Sequence, residues 1–132
     1  MTENALLKRL LPLFLALFVT NSAAEWQKYD QDRESSYSID LANVETRGPE
    51  IVVRQLIEKN NVHSWTKSRS LIATWQFDCI ARTGKIVGMQ GFEALGGNGA
   101  VVFEVPTRSG GMEPIKQGSM PERLFEQYCS AK

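Results

Sequence analysis

Ser70-Leu-Ile-Ala-Thr-Trp-Gln-Phe-Asp-Cys-Ile80 is the stretch whose reading decides the fold. Side chains on a β-strand alternate between its two faces. Leu71, Ala73, Trp75, Phe77 and Cys79 therefore share one face. Ser70, Thr74, Gln76 and Asp78 share the other, with Ile72 as the apolar exception. Such a strand lies half-buried in a sheet, and its phase sets Cys79 toward whatever packs over the apolar side.

The neighbouring segments extend the pattern in both directions. Downstream, Arg82-Thr-Gly84 turns the chain and Lys85 to Phe92 returns as a hairpin partner. Gly96-Gly-Asn-Gly99 turns it again into Ala100-Val-Val-Phe-Glu-Val105, and Pro106 to Gly111 breaks the pattern. Upstream, a polar connection from Glu58 to Ser68 follows Glu50-Ile-Val-Val-Arg-Gln-Leu-Ile57, whose β-branched residues predict a strand. Arg47-Gly-Pro49 supplies turn chemistry before it, and Tyr37-Ser-Ile-Asp40 alternates once more. Glu25 to Ser36 is polar and charged; Trp26 and Tyr29 are its large apolar groups, so it either packs by those rings or stays mobile.

At the carboxy end the period changes. Ser119-Met-Pro-Glu122 has the Ser-x-x-Glu spacing of a capping box, and a proline is tolerated in a first helical turn. Leu124, Phe125, Tyr128 and Cys129 follow as one apolar helical stripe. Short connections favour antiparallel pairing. The expected class is α+β: an antiparallel sheet of about five or six strands with a carboxy-terminal helix packed on one face.

The amino end has the three parts of a secretory signal. Lys8 and Arg9 precede the apolar run Leu10 to Val19, and Ser22 and Ala24 put small residues where a signal peptidase needs them. Residues 1–24 are therefore expected to be removed, leaving residues 25–132 as one domain. The run is about half the length needed to cross a bilayer and contains Pro12, which argues against a retained anchor. With no cysteine near the cut for lipid attachment, the mature protein is expected to be soluble, in the periplasm or secreted. Of 15 basic and 15 acidic residues the leader takes Lys8, Arg9 and Glu3, leaving a net charge near −1. That balance supplies no general field for nucleic acid or an anionic membrane.

Cys79 and Cys129 both lie in the exported part. An even cysteine count in an oxidising compartment reads as a disulfide, which would staple the helix to the central strand. Closing a loop of that length stabilises by roughly 4 kcal/mol in the chain-entropy model.

Catalytic machinery is not legible. His63, the sole histidine, sits in the polar connection, and no Gly-x-Ser-x-Gly elbow is present. Asp78 and Glu104 could form an acid/base pair only if the fold brought them together. The glycines at 96, 97 and 99 lack the Lys-Ser/Thr of a phosphate loop. No set of His, Cys and carboxylates has metal-ligand spacing, so neither a cofactor nor a metal is expected. The candidate contact surface is the connection itself, where Lys59, Lys67 and Arg69 surround Trp65 as a protein-binding patch. An exposed edge strand could also support a homodimer.

With these residues placed, the chain resembles the bacterial surface-adhesin protein E family. The resemblance rests on Trp26 soon after the signal, Tyr37-Ser-Ile-Asp40, and the turn into the strand Glu50 to Ile57. It continues through Lys67-Ser-Arg-Ser70, Phe77-Asp-Cys79, the step at Gly118 and Ser119, and the closing Tyr128-Cys129. It implies the same sheet with a disulfide-tethered helix. For function it implies non-enzymatic binding of host proteins, including extracellular-matrix components and plasminogen. The competing expectation is a periplasmic accessory or stress-related protein with an endogenous partner.

Overall fold

The computed structural model of the chain describes residues 23–61, 67–106 and 110–129. Among these residues eight strands form one antiparallel sheet: β1 (Trp26–Gln31), β2 (Ser35–Asp40), β3 (Glu45–Arg47), β4 (Glu50–Lys59), β5 (Ser70–Asp78), β6 (Thr83–Phe92), β7 (Val101–Val105) and β8 (Glu113–Pro114). A single turn of 3-10 helix, Leu95–Gly97, precedes β7, and helix α1 (Met120–Cys129) closes the described chain. The spatial order is β1-β2-β4-β5-β6-β7.

The expected five or six strands are thus eight. The two shortest share edges with longer neighbours. β2 pairs the carboxy half of β4 and β3 its amino end, so one long edge serves both. β7 and β8 divide the outer edge of β6 in the same way. Two- and three-residue strands carry no readable periodicity. β1 was expected as a polar lead-in; it pairs with β2 through a register shift between Lys28 and Asp30. Charged side chains and a bulge are typical of a protected sheet edge, and they mask the alternation a strand would otherwise show.

The β5 phase is as the sequence predicts. Ala73, Trp75 and Phe77 are buried with Ile39, Ile51 and Val53 beneath Leu124 and Phe125 of α1. Trp75 stacks on Phe77 at 5.5 Å, and Phe77 meets the edge of Phe125 at 5.6 Å. A Cβ on Gly84 would lie 2.6 Å from the Phe77 ring, so the hairpin partner must be bare where that ring crosses it. Ile72 has a separate explanation. It is buried on the reverse face, under Gly97, whose φ of +70° suits glycine and whose added Cβ would strike Ile72 at 2.6 Å.

Helix α1 is fixed at both ends. Ser119 Oγ accepts the Glu122 N–H at 3.3 Å, one half of the expected capping box. The Glu122 carboxylate reaches one residue further back, accepting the Gly118 N–H at 2.9 Å. At the far end Cys129 is bonded to Cys79, with Cα atoms 5.4 Å apart. Between these points Arg123 pairs with Asp30 at 2.5 Å, and Arg82 lies 4.9 Å over the Phe125 ring.

Candidate functional site

Among the described residues, two buried polar clusters and a cleft are the candidate sites. The first is buried beneath the helix. Gln55 is fully buried in the middle of β4, where a bare amide would be costly. Its oxygen accepts the Trp75 indole N–H at 3.1 Å, while its nitrogen donates to Tyr29 Oη at 2.7 Å and faces Met120 Sδ at 3.1 Å. The amide therefore joins β1, β5 and α1 through one side chain. Burial pushes the Tyr29 hydroxyl up to about 12 despite the opposing Gln55 bond. Burial likewise raises Tyr128, whose hydroxyl donates to the Asp40 carbonyl at 3.4 Å.

The second lies where β2 meets the start of β1. Asp40 is fully buried and accepts four donors: the Glu25 N–H at 3.0 Å, the Ala42 N–H at 3.0 Å, Asn43 Nδ2 at 2.9 Å and Arg54 Nη1 at 2.9 Å. Burial alone would raise this carboxyl. The hydrogen bonds from Glu25, Asn43 and Ala42, with the Arg54 charge, outweigh it and hold Asp40 below its ordinary value. The Arg54 guanidinium also lies 5.2 Å over the Trp26 ring.

The third is a cleft of about 760 Å³ beside the helix amino terminus. Trp75, Ile86 and Met89 belong to its apolar lining, with Val105, Ile115 and Pro121. Lys85 donates to the Gly110 carbonyl at 2.8 Å at its margin.

The contact patch expected around residue 65 is partly placed. The Lys59 N–H donates to the Arg69 carbonyl at 2.9 Å, and the Arg69 N–H to Phe92 at 2.9 Å, so both residues form the neck of the β4–β5 hairpin. Lys59 and Arg69 are half-buried there, whereas Lys67 is exposed with a φ of +59°. Trp65 and His63 lie outside the described residues. The carboxylates considered as an acid/base pair are not brought together. Asp78 accepts the N–H groups of Ile80 and Ala81 and so shapes the β5–β6 turn. Glu104 is exposed on β7 opposite Gln90, seven residues along β6 from the partner of Asp78. Among the described residues no three His, Cys, Asp or Glu side chains converge as a metal site. The sequence reading missed the Gln55 and Asp40 clusters, because Gln55 joins residues far apart in the chain, and the local turn of Asp40 with Ala42 and Asn43 does not foretell its distant partners Glu25 and Arg54.

The family model for surface-adhesin protein E matches residues 26–130, from the first strand to just past the bridged cysteine. The chain belongs to the surface-adhesin protein E family. The solved structure of Haemophilus influenzae protein E is similar to it, with a TM-score of 0.54 and 12% identity. The likeness covers 85% of this chain and 96% of that one, and at this identity it establishes the shared fold. No curated protein sequence matches the chain.

Proposed function

We propose that this surface-adhesin-like protein is an exported, non-enzymatic binding protein whose partners are host extracellular proteins. The observation that carries this reading is the family match across residues 26–130. Among the described residues, the cysteines and the carboxylates of Asp78 and Asp40 have structural roles, which agrees with this reading. Both cysteines are in the bridge, Asp78 shapes a turn, and Asp40 is surrounded by donors.

The contact surface in this reading is the end of the β4–β5 hairpin, comprising Lys59, Trp65, Lys67 and Arg69. Its neck is pinned by the backbone bonds of Lys59 and Arg69, which present Lys67 to solvent on a fixed base. Exchanging Lys67 and Arg69 for Ala together should weaken capture of a host-protein extract at least several-fold. Undiminished capture would remove the hairpin from the binding surface. Location tests the wider reading: intact cells should bind the host extract, and protein confined to the periplasm would favour an accessory role with an endogenous partner.

A further inference from the structure

The Asp40 cluster stands where the signal peptide should end. Glu25, the first residue after the expected cut, is held on both sides of its α-carbon. Its N–H donates to Asp40 Oδ1 at 3.0 Å, and its carbonyl accepts the Leu41 N–H at 2.9 Å. Trp26, the next residue, lies against Arg54. Ala23 and Ala24, on the other side of the bond to be cut, are exposed. The nitrogen that processing would free is thus already seated on a buried carboxylate, while Ala23 and Ala24 stand in solvent.

We infer that Asp40 is a receptor for the α-ammonium group that signal removal creates at Glu25. The inference rests on the proposed cleavage before Glu25. A signal peptidase adds water across the Ala24–Glu25 bond. The hydroxyl goes to the Ala24 carbonyl carbon. The remaining hydrogen, with the proton given up by the new carboxyl group, goes to the Glu25 nitrogen, leaving a carboxylate and an ammonium. The amide hydrogen bond to the Asp40 carboxylate then becomes an ion pair, with charge on donor and acceptor alike. The nitrogen shares Oδ1 with the Ala42 N–H, while Asn43 and Arg54 occupy Oδ2.

The charged groups facing the new amine are Asp40 from β2 and Arg54 from β4. Tyr128 of α1 meets the Asp40 carbonyl, and the Glu25 side chain is exposed. Asp40 is the direct contact and favours the ammonium; Arg54 opposes it from the far oxygen. The amine should therefore titrate above the usual value of about 7.7–8.0. Its contribution to stability would be complete below that usual value and would fade as pH rises through the folded value. Processing then does more than release the chain. It supplies the last ion pair of the fold, so the uncut precursor is the looser form.

The test uses the full chain expressed with its leader and purified from the periplasm. Intact mass should give a chain that starts at Glu25, and any other start overturns both the processing site and the receptor. With the start confirmed, the Glu25 α-amine should react with an acylating reagent at pH 8 about fivefold more slowly than in Asp40→Asn, as expected for a one-unit rise from the usual value. An NMR titration of the wild-type amine provides a second measurement that needs no variant to fold. A raised value supports the receptor; an ordinary value, or equal labelling of the two proteins, overturns it while leaving the processing site standing.

Discussion

On the helix-covered face of β4 and β5, Val53, Trp75 and Phe77 lie against Leu124 and Phe125. On the reverse face the same strands carry Arg54, Thr74 and Gln76, all half-buried, with Arg54 bonded to buried Asp40 and Gln76 to Glu50 at 2.7 Å. The first face is held mainly by apolar burial and a covalent link; the second adds charge and hydrogen bonds to the smaller apolar contact of Leu56 and Ile72 with Gly97. Only the second should respond strongly to acid, below about pH 4. The first should respond to lost volume and to reductant, so the two supports can be separated by how each is broken.

The largest expected effect lies under the helix. Phe77→Ala removes a fully buried ring that contacts Trp75 and Phe125, and should cost about 3–5 kcal/mol. Chemical denaturation would show it as a lower midpoint. Replacing Cys79 and Cys129 together by Ala opens a bridge between residues 50 apart and should cost roughly 2–4 kcal/mol. Reductant should reproduce much of that loss in the wild type and none in the double variant.

On the reverse face, Arg54→Ala should cost about 1–2 kcal/mol at pH 7, since Asp40 retains three other donors. The pH dependence has a definite sign. Asp40 is held below its ordinary value, so its contribution is present above an unfolded value of about 3.9 and is lost as pH falls through the folded one. The gap between wild type and Arg54→Ala should narrow below about pH 4. An unchanged gap would mean that Arg54 acts through its packing on Trp26 and not through charge. The smallest effect at neutral pH belongs to Tyr29. With its hydroxyl pushed up to about 12, ultraviolet titration should find a tyrosine still neutral well above pH 10, and stability should decline across that window.

What was legible in the sequence was legible because it was local. The β5 alternation, the Ser119–Glu122 spacing and the stripe ending in Cys129 each occupy one short segment with a fixed period. Together with the export signal they led to the staple between helix and sheet. β3 and β8 were not legible, being too short to express a period, and β1 was hidden by the polar residues that suit an edge. The Asp40 cluster was less accessible still. A buried carboxylate in an apolar setting would be unfavourable; Ala42 and Asn43 reach it through a local turn, but Glu25 and Arg54 are brought to it only by the sheet. Of the residues expected as a contact patch, Lys59 and Arg69 lie at the neck of the β4–β5 hairpin and Lys67 is exposed, while Trp65 lies outside the described residues.

The bridge between Cys79 and Cys129 also closes a ring of chain that contains β6, β7, β8 and nearly all of α1. A protease that cuts once anywhere within that ring makes two polypeptides that remain one molecule. The helix would stay seated on its sheet, and a nicked protein would run as an intact one until reduced.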